Sequence, residues 1–525
     1  YTLLFVLFMW VFEFIYHAPL HIWYYWTLFP ARLLPAQAID VVGIISSYLF
    51  FAALVYITFK SRWSVRLIYA SVMVISLLVQ YGYNKALSRF YTIRDLNTAV
   101  HSPSELWIYS IQSFFDWYVL IPLAVFVLFL ILTRHERELG WRPLCLLTLV
   151  GIVILTPYQA MDKDNLPYLT PMLFLRETTE LFWDNPFAQP HYVRTALDWQ
   201  ADTRPANNIV LIIDESVRGD HLSVNGYQRP TTSFLEGLAD QAVLYNWGTA
   251  AAAATCSVES NRVMITGLSS LPDTDYRVYQ NPLIFQYAKA MGYETHYYDA
   301  QTSFYWNGVY VSDAKYIDHW VNTEVIAKTV DRDLQAAKMI AHLLEESTGN
   351  FIVLNKKGVH FPYSAAYPEN EAIWKPTVEG ITFENPKQIL NTYDNGLVYT
   401  VDNFFRELLS DVTLLEDTYI LYTSDHGQTL SEHGEEWYHC KASYNEAVVP
   451  LILLTAQDLK IDTSYKASHF NIFTTLLDLM GVPETQYALP YPPSLLDVTA
   501  ADSVPRHYLP GDENFFTGEV VSFDP

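Results

Sequence analysis

The stretch Asn208-Ile-Val-Leu-Ile-Ile213, followed directly by Asp214-Glu215-Ser216, decides the predicted fold of the larger part of this chain. It is short, almost wholly apolar and rich in β-branched residues, which is typical of a strand buried on both faces of a parallel sheet. The acidic residues that follow it then lie at the carboxyl end of the strand. Active sites in parallel sheets gather at that end, so the sequence predicts functional carboxylates here.

Downstream segments of similar character alternate with helical patterns. Predicted strands follow at 294–298, 350–355, 418–423 and 449–454, and predicted helices at 283–291, 331–346, 390–409 and 469–480. Strands that alternate with helices indicate an α/β fold, here an α/β/α sandwich around a mostly parallel sheet. We therefore expect residues 207–525 to form one such domain.

The first 160 residues have a different character. They hold five apolar runs, at 1–16, 41–59, 67–83, 117–133 and 144–158. Each run is roughly long enough to cross a bilayer when the flanking aromatic residues are included. Five buried core helices are the alternative, but these runs leave too little amphipathic sequence to cover a core. The sequence thus predicts a five-helix transmembrane domain over residues 1–160.

The charges are distributed unevenly between these two parts. Residues 1–160 hold ten Lys/Arg and seven Asp/Glu, a net charge of +3, so the remainder carries −24 − 3 = −27. The short loops after the second and fourth runs are rich in Lys and Arg, which places them in the cytoplasm. The acidic domain then lies on the opposite side, which in a bacterium is the periplasmic face of the inner membrane. Residues 161–206 are expected to be interfacial linker helices, with a plain linker as the alternative.

Composition excludes some classes of protein. A pI near 4.9 argues against nucleic-acid binding, because no excess of Lys and Arg is available to pair with phosphates. Three cysteines are too few for a disulfide scaffold.

Metal-binding and acid–base side chains follow three of the predicted strands. They are Glu215 after the first, Lys356, Lys357 and His360 after the third, and Asp425 and His426 after the fourth, with His439 a short step beyond. Carboxylates and imidazoles together suit a divalent ion such as zinc. A single Asp or His is often only a cap or a surface residue, but three strand ends that agree favour a metal site.

Three motifs resemble those of one family. They are the segment 213–232 (IDESVRGDHLSVNGYQRPTT), the segment Gly358-Val-His360-Phe-Pro362, and Ser424-Asp425-His426-Gly427 with Glu432, Gly434 and His439. Their order and spacing are similar to those of the phosphoethanolamine transferases, which include the lipid A enzymes behind transferable colistin resistance. That family belongs to the alkaline phosphatase and sulfatase superfamily. The resemblance covers roughly residues 208–455, and the five apolar runs also match the family.

The resemblance implies a zinc-dependent transferase with a sulfatase-like periplasmic domain. One Zn²⁺ would be held by Glu215, Asp425, His426 and a threonine nucleophile, while His360 and His439 would bind phosphoryl oxygens or act as acid and base. The donor would be phosphatidylethanolamine, and the group would pass through a covalent phospho-enzyme to lipid A, a core sugar or a periplasmic glycan. We expect a monomeric, multi-pass inner-membrane protein.

The position of the nucleophile stays open. The matching stretch runs from Gly248-Thr249 through five alanines to Thr255-Cys256-Ser257. The spacing of the transferases, counted back from Gly267, gives Thr255, whereas the spacing of sulfatases gives Ser257. Anchoring on Gly248-Thr249 gives Ala251, and an insertion in the alanine run would give Ala254. An alanine there would mean a dead or substituted site.

The cysteines bear on the same stretch. Cys256 adjoins the nucleophile region and Cys440 follows His439, so their neighbours should meet at one site in an oxidising compartment. We therefore expect a Cys256–Cys440 disulfide. Cys145 lies in the fifth apolar run and should be a free thiol.

Two other classes of function compete with the transferase. One is another enzyme of the superfamily, such as a phosphoglycerol transferase or a sulfatase-like hydrolase. The other is a non-catalytic membrane regulator that has lost its nucleophile, which the alanine run favours and the intact set Glu215, Asp425 and His426 disfavours.

Overall fold

The computed structural model describes residues 1–16, 49–87, 117–134, 194–301, 311–326, 329–378, 385–432, 439–511, 513 and 515–524. Contacts divide the chain into two compact units, Tyr1–Gln189 and Pro190–Pro525. Residues 161–193, most of the expected linker, lie outside the described residues. Residues 194–206, the end of the expected linker, are described and belong to the second unit, in which Arg194 Nε and Asp313 Oδ1 form a buried ion pair at 2.6 Å.

The first unit contains four described apolar helices: α1 (Thr2–Tyr16), α2 (Leu49–Lys60), α3 (Trp63–Leu87) and α4 (Leu120–Leu132). Phenylalanine side chains from α1, α2 and α4 form a buried cluster, in which Phe5 lies 5.3 Å from Phe126 between ring centroids. Among the described residues, only Trp63–Tyr81 is both long and apolar enough to cross a membrane. The five-span prediction is therefore not confirmed: α1, α2 and α4 are shorter apolar helices, and the run 144–158 lies outside the described residues.

The second unit is built on a seven-stranded sheet. Its strands are β1 (Asn208–Asp214), β2 (Leu244–Ala251), β3 (Glu294–Asp299), β4 (His319–Val321), β5 (Asn350–Asn355), β6 (Thr418–Ser424) and β7 (Val448–Leu454), in the spatial order β2-β7-β6-β1-β5-β3-β4. β1 pairs in parallel with β5 and β6, and β3 with β5 and β4. β7 runs antiparallel to β6, and β2 antiparallel to β7. The predicted α/β fold with a mostly parallel sheet is confirmed, although the last predicted strand is antiparallel.

Every residue of β1 is buried, because both faces of the central strand are covered by apolar side chains. One face packs on α5 (Ser233–Asp240), α8 (Arg332–Glu346), α9 (Pro386–Leu397) and α10 (Asn403–Leu408). The other face packs on α6 (Ser257–Thr266), α7 (Ile284–Ala290) and α12 (Ile472–Met480), while α11 (Tyr444–Ala447) precedes β7. The predicted sandwich is thus present, with two apolar cores separated by the sheet.

The predicted long helix over 390–409 is interrupted. A five-residue π-helical turn, Val398–Asp402, separates α9 from α10. A π turn shifts the backbone hydrogen-bond pattern by one residue, and here the carbonyl of Thr400 accepts a hydrogen bond from the ammonium group of Lys356. The interruption therefore provides a polar partner for a fully buried lysine next to the site.

Candidate active site

Three ligand-type side chains meet at the carboxyl ends of β1 and β6. Glu215 follows β1, and Asp425 and His426 follow β6; all three are at most 1% exposed. One ligand atom from each lies within 4.8 Å of the others. His426 Nε2 is 3.5 Å from Glu215 Oε1 and 3.7 Å from Asp425 Oδ2. Parallel pairing of β1 with β6 brings these residues together, as the strand-end argument predicted.

The carboxylate of Asp425 has one satisfied oxygen and one without a partner. Its Oδ1 accepts hydrogen bonds from the backbone amides of Ser216 at 3.0 Å and His426 at 2.7 Å. Its Oδ2 is buried and has no hydrogen-bond partner within the described part of the chain. A buried carboxylate oxygen that accepts no hydrogen bond is costly unless a cation binds it, so Asp425 fits a metal ligand.

The imidazole of His426 is oriented as a ligand would be. Its Nδ1 lies 2.6 Å from the carbonyl oxygen of Gly427, to which it donates, and this leaves Nε2 facing the two carboxylates. Such a hydrogen bond fixes the ring and its tautomer in many metal sites. Burial alone lowers the pKa of His426, but Asp425 and Glu215 more than offset this effect, so the pKa is raised.

The site carries an excess of negative charge. Burial and the neighbouring charge of Asp425 raise the pKa of Glu215. Two buried carboxylates this close repel each other, and a divalent cation removes that repulsion. Two carboxylates and one imidazole, with a position left for a further ligand, form a donor set that suits zinc. The residues present therefore fit Zn²⁺.

Two hydroxyl groups reach this cluster: Ser216 Oγ donates to Glu215 Oε1 at 2.8 Å, and Ser257 lies next to both Glu215 and His426. Ser257 Oγ donates to Glu215 Oε2 at 3.2 Å and lies 3.3 Å from His426 Nε2. Ser257 is the first residue of α6, and its side chain is partly buried. The free amides at a helix N-terminus favour negative charge, so a phosphoryl group bound there would be stabilised.

The structure does not bring Thr255 into the cluster. Thr255 is fully buried, its Oγ1 donates to the carbonyl of Lys441 at 2.7 Å, and the same oxygen accepts from the amide of Gly511 at 2.9 Å. The hydroxyl thus joins two distant loops to the alanine run. The geometry favours the Ser257 register over the Thr255 register.

The alanine run packs against three apolar clusters. Ala250 to Ala254 are all fully buried, and Ala251 is the last residue of β2. The backbone of Ala254 is held by Ser260, whose Oγ accepts from its amide at 3.1 Å and donates to its carbonyl at 2.9 Å. If the nucleophile position were Ala251 or Ala254, the side chain there would be a methyl group buried among apolar residues.

A sulfatase family model matches residues 207–482, which is more than half of the 525 residues. The chain belongs to the sulfatase family. The matched region contains all the strands of the sheet and the cluster at Glu215. Relatives named phosphoethanolamine transferases confirm the resemblance of the chain's motifs to that family.

Relatives of this sulfatase-family chain include phosphoethanolamine transferases. Kdo(2)-lipid A phosphoethanolamine 7''-transferase of Escherichia coli K12 is 28% identical over 228 residues, which is 43% of this chain and 39% of the relative. The match therefore spans about two fifths of the length of that relative.

Two solved structures share the fold. The integral membrane lipooligosaccharide phosphoethanolamine transferase A of Neisseria meningitidis has a TM-score of 0.61 at 18% identity, covering 89% of this chain and 92% of its own. The periplasmic domain of EptC from E. coli in complex with zinc has a TM-score of 0.53 at 19% identity, covering 63% and 97%. At these identities the likeness shows the fold alone.

Two further histidines lie beside the cluster of this sulfatase-family domain. The ring of His439 stacks on that of His426 at 4.7 Å between centroids, and the ring of His360 lies 5.9 Å from His439. His360 Nδ1 lies 2.6 Å from the carbonyl of Phe361, which leaves Nε2 for other partners. Burial, with the nearby charge of Lys357, lowers the pKa of His360 to about 4. The sequence prediction named both histidines, and the structure brings both to the site.

The two lysines after β5 have different surroundings. Lys356 is fully buried, and its ammonium group pairs with Asp214, the last residue of β1. Lys357 Nζ lies 3.3 Å from the carbonyl oxygen of His360. Gly358 follows with φ of +51°, and a Cβ there would lie 2.4 Å from Asp214 Oδ1. Lys356 therefore neutralises the carboxylate of Asp214 at the end of β1. Because Gly358 has no Cβ, the loop that carries His360 can pass close to Asp214.

Sequence reasoning missed Gln301. It lies just after β3 and donates from Nε2 to Glu215 Oε2 at 3.1 Å and to the carbonyl of Lys356 at 2.7 Å. The rule that polar residues gather at strand ends would have found it, because Asp299-Ala300-Gln301 follows the predicted strand 294–298. Gln301 holds the carboxylate of Glu215 in place.

The expected disulfide is present. Cys256 and Cys440 are bonded, across a sequence separation of 184 residues. Cys256 is the residue before α6 and adjoins Ser257, while Cys440 adjoins His439. The bond therefore joins the start of α6 to the segment that carries His439. The expected free thiol, Cys145, lies outside the described residues.

Proposed function

We propose that this chain is a zinc-dependent phosphoethanolamine transferase. It would move phosphoethanolamine from phosphatidylethanolamine to a lipid or glycan of the cell envelope, such as lipid A, a core sugar or a periplasmic glycan. Two lines of support are the family match and the transferase names of the relatives. The zinc-bound structure of one fold relative supports the choice of metal.

The observation that carries the proposal is the contact of the Ser257 hydroxyl with both Glu215 and His426. A nucleophile needs a partner that directs its proton and an environment that tolerates negative charge, and the start of α6 provides both. Of the four positions that the sequence left open, Ser257 is the one with this contact. We therefore take Ser257 as the nucleophile.

In the first step, Ser257 Oγ attacks the phosphorus of phosphatidylethanolamine. The Oγ–P bond forms, the bond from phosphorus to the diacylglycerol oxygen breaks, and diacylglycerol leaves after it takes up a proton. In the second step, an acceptor oxygen attacks the same phosphorus, the Oγ–P bond breaks, and the serine recovers its proton. When bound, zinc would lower the pKa of the serine hydroxyl and neutralise charge on the phosphoryl oxygens.

The chain's own residues would hold the reacting groups. Glu215 Oε2 accepts the hydroxyl hydrogen of Ser257 and would orient the nucleophile. His439 stacks on His426, and His360 lies beside His439; both would bind phosphoryl oxygens or act as acid and base.

The donor and acceptor imply a membrane location. The first unit exposes large apolar side chains on its helices, including Leu3 at 81% and Ile68 at 65%. Water would not favour such a surface, whereas lipid would cover it. We propose five membrane-spanning segments in the bacterial inner membrane, a periplasmic catalytic domain and a monomeric protein.

The proposal is tested with purified full-length protein and phosphatidylethanolamine labelled in the headgroup. We expect release of diacylglycerol with zinc present, loss of that release after chelation, and its recovery when zinc returns. Ser257→Ala should abolish release. Phosphatidylglycerol and an aryl sulfate ester serve as comparison substrates. Faster turnover of either would contradict the proposal in favour of a phosphoglycerol transferase or a hydrolase, and no turnover of any substrate would support a regulator.

A further inference from the structure

A second group of metal-ligating side chains lies at the edge of the sheet, far along the strands from Glu215. It consists of Glu294 and His296 on β3 and His319 on β4, which we call the edge cluster. Glu294 and His319 are the first residues of their strands, whereas Glu215 follows the carboxyl end of β1. The edge cluster is therefore separate from the proposed active site.

Strand geometry places the three side chains together. Glu294 and His296 are two residues apart on one strand and so lie on the same face. His296 is the direct partner of His319 in the parallel pairing of β3 with β4. The two rings stack at 4.6 Å between centroids, and one ligand atom from each of the three residues lies within 4.8 Å of the others.

The orientation of His296 leaves one ring nitrogen for a metal. His296 Nε2 lies 3.2 Å from Asn350 Oδ1. The amide of Asn350 is itself fixed, because its Nδ2 donates to Asn208 Oδ1 at 2.9 Å and to the carbonyl of Ser347 at 3.1 Å. The oxygen of Asn350 must therefore face His296, Nε2 must be the protonated nitrogen, and Nδ1 carries the lone pair. Metal-binding histidines commonly have such a carbonyl partner on the second nitrogen.

The other two ligands are accessible to an ion from solvent. His319 Nε2 lies 2.6 Å from Glu294 Oε1, and these side chains are 49% and 43% exposed. Arg204 pairs with the opposite oxygen, Glu294 Oε2, at 3.3 Å, so Oε1 stays on the histidine side.

We infer that the edge cluster binds a second divalent ion of the zinc class, through His296 Nδ1, the His319 ring and a Glu294 oxygen. Two imidazoles and one carboxylate form a known zinc donor set, with water as the fourth ligand. Ligand atoms about 2.0–2.1 Å from a tetrahedral zinc lie about 3.3 Å apart. His319 Nε2 and Glu294 Oε1 are 2.6 Å apart and the two rings are stacked, so an ion requires the half-exposed His319 side chain to rotate until a nitrogen of each ring faces it. The ion would tie the three-residue edge strand β4 to β3.

The test counts zinc in the purified full-length protein. Wild type, His319→Gln, Glu294→Gln and His342→Gln are dialysed against the same zinc buffer, and bound zinc is measured by mass spectrometry of the metal. His342 is the matched control, because it is an exposed histidine beside the carboxylates of Glu345 and Glu346 on α8. Comparison with wild type cancels any zinc held at Glu215.

We expect His319→Gln and Glu294→Gln each to hold one zinc ion fewer per chain than wild type, and His342→Gln to match wild type. Both replaced side chains are about half exposed, so the sheet should keep its fold, and unchanged circular dichroism checks this. Anomalous diffraction at the zinc edge should show a peak between His296 and His319. Equal zinc in wild type and His319→Gln, or no peak at that position, overturns the inference.

Discussion

Replacing Lys356 by methionine should destabilise the second unit strongly. The Lys356 ammonium group pairs with Asp214, donates to the carbonyl of Thr400 and lies 4.1 Å above the ring of Phe404. Both charged side chains are fully buried. Methionine fills a similar volume but removes the positive charge, so Asp214 would be left as a buried carboxylate with only neutral partners, among them Tyr422 at 3.0 Å.

The size of the effect follows from this burial. Removing one partner of a buried ion pair costs about 3–5 kcal/mol, because the remaining charge keeps its desolvation penalty and loses its counter-charge. Replacing both partners by neutral groups is much less costly. Lys356→Met should therefore lower the free energy of unfolding by about 3–5 kcal/mol, and Asp214→Asn combined with Lys356→Met should restore most of that loss.

The measurement is denaturant unfolding of the full-length protein in detergent, followed by tryptophan fluorescence. Lys357→Met is the matched control, because this neighbouring lysine is only partly buried and should contribute about 1 kcal/mol or less. If Lys356→Met and Lys357→Met lose the same stability, or if the double variant is less stable than Lys356→Met, the account of the buried pair is wrong.

Three further predictions concern the site and its supports. Asp425→Asn should weaken zinc binding by more than about 100-fold, because the Asp425 Oδ2 atom that lacks a partner loses its charge. Competition with a chelator measures this, and unchanged binding would exclude Asp425 as a ligand. Reducing the Cys256–Cys440 disulfide, or replacing both cysteines by serine, should slow diacylglycerol release while the amount of bound zinc stays constant. The reason is that the disulfide links the start of α6, where Ser257 lies, to the segment that carries His439. Equal rates of release would show that the disulfide does not position the site. Burial lowers the pKa of His469 to about 3, so between about pH 6.5 and pH 3 the unfolded chain binds a proton that the folded chain does not. The free energy of unfolding should therefore fall by about 1.4 kcal/mol for each pH unit of acidification in this range because of this residue. His469→Gln should flatten that slope in pH-dependent unfolding, and an unchanged slope would contradict the assignment.

The central strands and the metal-type cluster were predictable from sequence for a simple reason. A strand buried on both faces must be apolar throughout, so β1, β5 and β6 are visible as apolar runs. Parallel strands share one carboxyl edge, so the polar residues after them must meet. Glu215, Asp425 and His426 come together by that rule alone.

The sheet edges were less predictable. β2 was missed because it ends in alanines, which have low strand propensity, and because a bulge interrupts its pairing with β7 between Asn246 and Thr249. Gly248 occupies that bulge with φ of +70°. β4 has three residues, too few for a periodic pattern to show. The direction of β7 depends on how the chain returns after Cys440, which no local pattern encodes.

The position of the nucleophile could not be settled from local sequence. Thr255 and Ser257 are two residues apart and both carry a hydroxyl group. Their surroundings differ because α6 begins at Ser257 and because Lys441 and Gly511, both far away in sequence, take up the hydroxyl of Thr255. These contacts form only in the folded chain. Spacing borrowed from a family therefore left several registers open.

The most direct test of the account is to locate the covalent intermediate. The protein is incubated with phosphatidylethanolamine and zinc without an acceptor, quenched in acid, digested and examined by tandem mass spectrometry. The account predicts phosphoethanolamine on Ser257, its loss in Ser257→Ala and its persistence in Thr255→Val. Modification of Thr255 instead, or an unmodified peptide during continued diacylglycerol release, would contradict the account.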